Sequence, residues 1–117
     1  MQNFWCNKTQ SSLDTIVHGD FWSANILFQY DEEKRPQKAF FVDFQQVGLG
    51  SPLRDILSLL YSSTDSAFRA RYADRLLQHY FTIYRQFSTV SSSYHQFSQL
   101  YYQNRRYLSP LFFICTD

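Results

Sequence analysis

Cysteine is scarce in this chain, and what there is stands far apart. Cys6 and Cys115 lie near opposite ends of the 117 residues, with no CxxC spacing and no histidine cluster beside them. That excludes a disulfide scaffold and a structural zinc site, and leaves two reduced thiols as the expectation. A dominant charge is lacking too: 11 Lys and Arg stand against 10 Asp and Glu, a net charge of +1. Such a mixed chain gives no electrostatic case for binding nucleic acid. The one basic pair near aromatics, Arg105-Arg106, reads as a solvated helix face. No window holds the ~18 consecutive apolar residues of a membrane span. Residues 1–8 lack the apolar run of a signal peptide. The expected location is cytoplasmic, with neither membrane nor nucleic acid as partner. Internal repeats and low-complexity segments are absent as well.

What the chain has in abundance is aromatic surface: 12 Phe, 9 Tyr and 2 Trp, or 20% of all residues. That implies a bulky core or apolar surface meant to meet something else. The length fits one domain with a real core. Residues 1–13 show no clean period and read as a loose lead-in. Residues 14–18 form a β-branched run that stops at Gly19, which suits a strand feeding a turn. From Asn25 the pattern alternates, Ile26, Phe28 and Tyr30 against Leu27 and Gln29, and a charged loop with Pro36 follows over 31–37. Residues 39–42 resume as a strand that delivers Asp43 at its end. Joined by that loop, the two strands make a hairpin whose open end brings Asn25 and Asp43 close together.

Gly48-Leu49-Gly50-Ser51-Pro52 breaks the strand pattern and starts a helix, with Ser51 as N-cap and Pro52 at the first helical position. Leu53, Ile56, Leu57 and Leu60 then follow the i, i+3, i+4, i+7 rule and predict one buried face. Ser62-Ser63-Thr64-Asp65 is a turn that caps a second helix. There Phe68, Tyr72, Leu76, Tyr80, Ile83 (or Tyr84) and Phe87 recur every three or four residues. After a polar break at 88–93, a third helical pattern runs through Tyr94, Phe97, Leu100, Tyr101, Tyr107 and Leu108 until Pro110. These aromatic rows read as core, with the wall of a substrate pocket as the alternative. Residues 111–115 are too apolar for a free tail, so the chain is expected to be cut before its natural end.

The chemistry concentrates in His18-Gly19-Asp20-Phe21-Trp22-Ser23-Ala24-Asn25 and Val42-Asp43-Phe44-Gln45. Phosphoryl transfer asks a protein to orient an acceptor hydroxyl and to neutralise phosphate charge with magnesium. Asp20 is the candidate for the first task. Asp43, with the amide oxygen of Asn25, supplies the hard oxygen ligands for the second. Gly19 fits a tight turn where a side chain would clash. His18 reads as a structural residue that holds the loop by hydrogen bonds rather than as an acid or base. Asp55 has two readings of equal weight: an acid interacting with the helix N-terminus, or a carboxylate that reaches back to hydrogen-bond the loop. Taken singly, an Asp at a strand end and an Asn in a turn are ordinary structural choices. Together, His-Gly-Asp-x-x-x-x-Asn arises by chance on the order of once in a few thousand chains of this length at average residue usage.

These segments, with Gly50-Ser51-Pro52-Leu53-Arg54-Asp55-Ile56-Leu57, resemble the ecdysteroid kinase-like family, relatives of the choline and aminoglycoside kinases. Trp22 and the Asp43-Phe44-Gln45 ending favour that branch. The resemblance covers residues 14–87 and, more loosely, the third helix. It implies an α+β, partial protein-kinase-like fold in which a catalytic-loop β-hairpin packs on a mainly α-helical C-terminal lobe. It also implies ATP- and Mg2+-dependent phosphorylation of a small-molecule hydroxyl, an ecdysteroid-like steroid or a xenobiotic. Asp20 would be the base, Asn25 and Asp43 the metal ligands, and Asp55 the anchor of the catalytic loop.

Gly19 stands where protein kinases carry Arg, and no Ala-Pro-Glu segment follows, which disfavours a protein kinase. Only 17 residues precede His18; they hold no nucleotide-covering loop and no strand Lys with its Glu partner. Lys8 stands alone. The 117 residues therefore read as a partial catalytic lobe without the ATP-covering lobe, expected to have little or no kinase activity alone. Two other readings stay open: a non-catalytic binding module, and a choline-type amino-alcohol kinase. No oligomeric state is legible.

Overall fold

Four short strands precede three helices in the computed structural model, which describes residues 13–89 and 91–105. The mixture is α+β, as expected. Expectations that rest on residues 1–12, Cys115, Arg106, Tyr107, Leu108, Pro110 and the apolar segment 111–115 lie outside the described residues. No helix among the described residues is long and apolar enough to cross a membrane.

The strands form two separate antiparallel pairs. β1 (Thr15–Val17) pairs with β4 (Gly48–Gly50) in the register Thr15↔Gly50, Ile16↔Leu49, Val17↔Gly48. β2 (Ile26–Tyr30) pairs with β3 (Pro36–Phe41), Ile26 opposite Phe41 and Phe28 opposite Ala39. β4 corrects the sequence reading, which treated Gly48-Leu49-Gly50 only as a break. A Gly-Leu-Gly triplet has poor intrinsic strand preference, and its extended form is selected by the partner β1.

The β2–β3 loop is closed by one side chain. The Asp31 carboxylate accepts the N–H groups of Glu33 and Arg35, each at 2.9 Å, and the Arg35 guanidinium also at 2.9 Å. The Arg35 N–H is the main reason that carboxyl is held below its ordinary range. The hairpin stands in solvent: every residue of β3 and four of five in β2 are exposed. Contact with the helical part runs through β1 and the 3-10 turn Ser23–Asn25, both against α1.

α1 (Pro52–Ser63) starts as the sequence reads, with the Ser51 hydroxyl accepting Leu53 N–H at 3.3 Å and Pro52 in the first turn. α2 (Ser66–Gln86) is capped by Asp65, which takes the Phe68 N–H at 2.7 Å. α3 (Tyr94–Asn104) opens with a capping box between Ser93 and Gln96. The core joins Leu53, Leu57 and Leu60 of α1 to Ala73, Leu77 and Phe81 of α2 and to Phe97 and Tyr101 of α3. Each fully buried side chain of this size contributes about 1.5–3 kcal/mol.

The buried face of α2 differs from the expected row. Phe68, Leu76, Ile83 and Phe87 are exposed, and Ala73, Leu77 and Phe81 are inside, with Tyr80 and Tyr84 at the margin. Two apolar rows overlap on this helix, and packing against α1 and α3 selects the second. Phe81 and Phe97 meet at 5.2 Å between ring centres, and the Tyr94 hydroxyl donates to Asp74 Oδ1 of α2 at 2.5 Å.

Candidate active site

β1 carries the chain into a loop that α1 receives from the other side. Asp55, in the first turn of α1, accepts the His18 N–H on Oδ2 at 2.7 Å and the Gly19 N–H on Oδ1 at 3.0 Å. It lies in the first turn of α1, and both of its carboxylate oxygens reach back to the loop. A charged acceptor on two adjacent backbone donors is the stronger kind of hydrogen bond.

His18, 7% exposed, makes a second link. Its Nε2 lies 2.7 Å from the Val42 carbonyl oxygen. A carbonyl only accepts, so Nε2 carries the hydrogen and Nδ1 is left as an acceptor. Nδ1 in turn receives the Asp20 N–H at 3.2 Å. One imidazole thus joins the loop of Asp20 to the strand end that precedes Asp43, which fits the structural reading of His18. Phe21 and Phe44 pack on the ring, with centres at 5.6 and 4.8 Å.

Asn25 is buried at the end of the 3-10 turn. Its Nδ2 donates to the Asp20 carbonyl at 2.9 Å and to Asp20 Oδ2 at 3.3 Å. Because the nitrogen is committed to Asp20, the amide oxygen Oδ1 is left as acceptor. The Asn25 carbonyl accepts the Val42 N–H at 3.0 Å, so the hairpin register puts Asp43 one residue beyond Asn25's partner. Asp43 adopts φ +63°, the left-handed region that costs a non-glycine residue free energy. Its carboxylate is exposed and makes no hydrogen bond or ion pair among the described residues.

The structure brings His18, Gly19, Asp20, Asn25 and Asp55 into one hydrogen-bonded set and sets Asp43 beside it through Val42. Asp43 does not bond to Asp20 or Asn25 directly. Among the described residues, no group of three or more His, Cys, Asp or Glu side chains could hold a metal ion. The hard oxygen donors here are the Asp20 and Asp43 carboxylates and the Asn25 amide. Three participants are not among the site residues expected from the sequence, although Arg54 stands in the 50–57 motif. Gln46 seats Gly19, Ser63 of α1 accepts the Ser23 N–H at 2.9 Å, and Arg54 donates to the Gly19 carbonyl at 3.4 Å.

The profile of the ecdysteroid kinase-like family matches residues 1–90. The chain belongs to the ecdysteroid kinase-like family. Every residue of the hydrogen-bonded set lies inside the matched stretch, and α3 lies beyond it. Membership in the ecdysteroid kinase-like family implies a small-molecule, kinase-like phosphotransferase. Comparison with curated proteins and with solved structures gives no match.

Proposed function

We infer that this chain carries the acceptor- and metal-binding part of a kinase-like phosphotransferase of protein-kinase-like fold, acting on a small-molecule hydroxyl with ATP and Mg2+. The observation that carries the reading is the Asn25 amide. With Nδ2 bonded to Asp20, its oxygen, without a partner among the described residues, is a hard donor at the hairpin end where the Asp43 carboxylate likewise has none among them. That donor set fits magnesium, which takes one or two carboxylates and leaves its other positions to phosphate and water. When bound, the ion neutralises charge on the transferred phosphoryl group.

In this reading Asp20 accepts the proton of the acceptor hydroxyl and orients its oxygen for attack. The Asn25 bond holds the Asp20 carboxylate in place, and Asp55 and His18 hold the loop. Trp22, Phe41 and Phe44, each about half exposed near the loop, offer an apolar wall. They suit an apolar steroid-like or xenobiotic acceptor, and through cation–π contact they would also suit a choline-like amino alcohol, so the acceptor panel decides.

The test is a thermal titration of this chain with Mg·ATP, followed by turnover of the full reading frame on a panel of ecdysteroids and amino alcohols. A ligand that binds only the folded chain stabilises it by about 2.7 kcal/mol at a hundredfold excess over its dissociation constant. Asp43→Ala should remove most of that stabilisation. Asp20→Asn should keep it and abolish phosphate transfer. A melting curve that Mg·ATP leaves unmoved would favour a non-catalytic binding module.

A further inference from the structure

We propose that Arg54 is a positioning residue that fixes the peptide unit between Gly19 and Asp20, and through it the direction of the Asp20 side chain. The proposal rests on the reading of Asp20 given above and adds a residue to it. A peptide unit is planar, so one that is held at both its C=O and its N–H cannot rotate about its ends. Here the N–H end, from Asp20, is bonded to His18 Nδ1 at 3.2 Å. The C=O end, from Gly19, receives Arg54 Nη2 at 3.4 Å, and Arg54 is its only donor among the described residues.

Such a hold is needed because of Gly19. A glycine at φ +90° has access to backbone states closed to other residues, so the peptide on its C-terminal side turns over more freely than elsewhere. Asp55 restrains the N–H of Gly19 but not its carbonyl. Rotation of that carbonyl would carry the Asp20 N–H off His18 and swing the carboxylate away from Asn25.

A second observation is the place of Arg54 in α1. It is the third residue of the helix, where the macrodipole disfavours a cation. It is half-buried and forms no ion pair among the described residues. Helix stability gives no reason for an arginine at this point; the Gly19 carbonyl does. A residue that breaks a local rule in this way is expected where function sets the choice.

The test compares Arg54→Met and Arg54→Lys with the unsubstituted chain, reading thermal midpoint and residue-resolved amide exchange. Met keeps the long stem and a good helix preference but loses the guanidinium. The expected result is an unchanged or raised midpoint for Arg54→Met, with about tenfold faster exchange at the Asp20 amide. The His18 and Gly19 amides, held by Asp55, should not change, and Lys should restore part of the Asp20 protection. Unchanged exchange at Asp20 overturns the proposal, as does an equal loss at all three amides with a lowered midpoint. Turnover of the full reading frame on Mg·ATP and an ecdysteroid separates the two readings. A fall in kcat of up to about 100-fold at constant nucleotide KM supports both. If Asp20→Asn leaves phosphate transfer intact, the kinase role of Asp20 fails, and the amide pattern still decides the hold by Arg54.

Discussion

Gly19 is seated directly on the backbone of Gln46. A Cβ on Gly19 would collide with the Gln46 carbonyl oxygen and lie 2.8 Å from the Gln46 Cβ. The loop of Asp20 and the turn that follows Asp43 are therefore packed without a side chain between them, and φ +90° at Gly19 makes that approach possible.

Gly19→Ala is accordingly penalised twice, by the left-handed backbone and by the collision. A loss of about 3 kcal/mol is expected in urea unfolding, at the upper end of ordinary substitutions. A loss below about 1 kcal/mol would show that the turn at 45–46 yields, since Gly→Ala without strain stabilises by about 0.4–1 kcal/mol.

Asp55→Asn replaces one acceptor oxygen by a donor, so either His18 N–H or Gly19 N–H then faces an NH2 group. Hydrogen bonds to a charged acceptor are worth about 1.5–3 kcal/mol, and a donor left unpaired adds its desolvation. The variant should unfold at clearly lower urea, and the His18 and Gly19 amides should exchange faster than those of the α2–α3 core.

Asn25→Asp keeps the shape of the side chain and reverses its role toward Asp20. Two acceptors then face each other where an amide nitrogen now donates at 3.3 Å. Repulsion raises the pKa of the carboxyl pair in the folded chain above the unfolded value. Stability of this variant is therefore fullest at acid pH and falls as pH rises through the folded value. Matching pH–stability profiles for the two chains would refute the assigned Asn25–Asp20 contact.

Burial pushes the phenols of Tyr80 and Tyr101 up to about 12 from an ordinary 10.0, and the Tyr94 phenol is raised as well. The folded chain holds protons that the unfolded chain releases. The contribution is whole below pH 10 and lost as pH climbs toward about 12. Urea midpoints should fall across that interval, and part of the phenolate absorbance should appear only with unfolding. Titration of all tyrosines near 10, with constant midpoints, would contradict the burial of these rings.

Leu76 and Leu77 are neighbours on α2 with opposite surroundings, 43% and 1% exposed. Leu77→Ala should cost about 3 kcal/mol, and Leu76→Ala less than about 1 kcal/mol. The reverse order would return α2 to the orientation expected from its aromatic row.

Signals local in sequence survived into the structure. Ser51-Pro52 and Asp65 depend on neighbours within a few residues and are where the pattern puts them. The 25–43 hairpin forms too, but its second strand begins at Pro36, inside the stretch read as loop, and ends at Phe41. β4 was hidden because Gly48-Leu49-Gly50 becomes a strand only against β1, more than thirty residues earlier. The inward face of α2 was misread because Leu76 and Leu77 each head a plausible row, and α1 and α3 choose between them. At the site, the motif residues were visible by type and spacing, and their supports were not. Arg54 and Ser63 act on backbone groups far away in sequence, and such contacts leave no period behind.

The hairpin has one more consequence. Asp20 is tied to α1 and so shares the cooperative unit formed by the three helices. Asp43 ends a two-stranded ribbon with little buried surface, joined to that unit by the His18 ring, the Asn25–Val42 bond and the seat of Gly19 on Gln46. Ribbons of this kind open at far lower free energy than a packed core. The expected outcome is that the two carboxylates belong to different foldons, with amide exchange across the ribbon faster than in the helices.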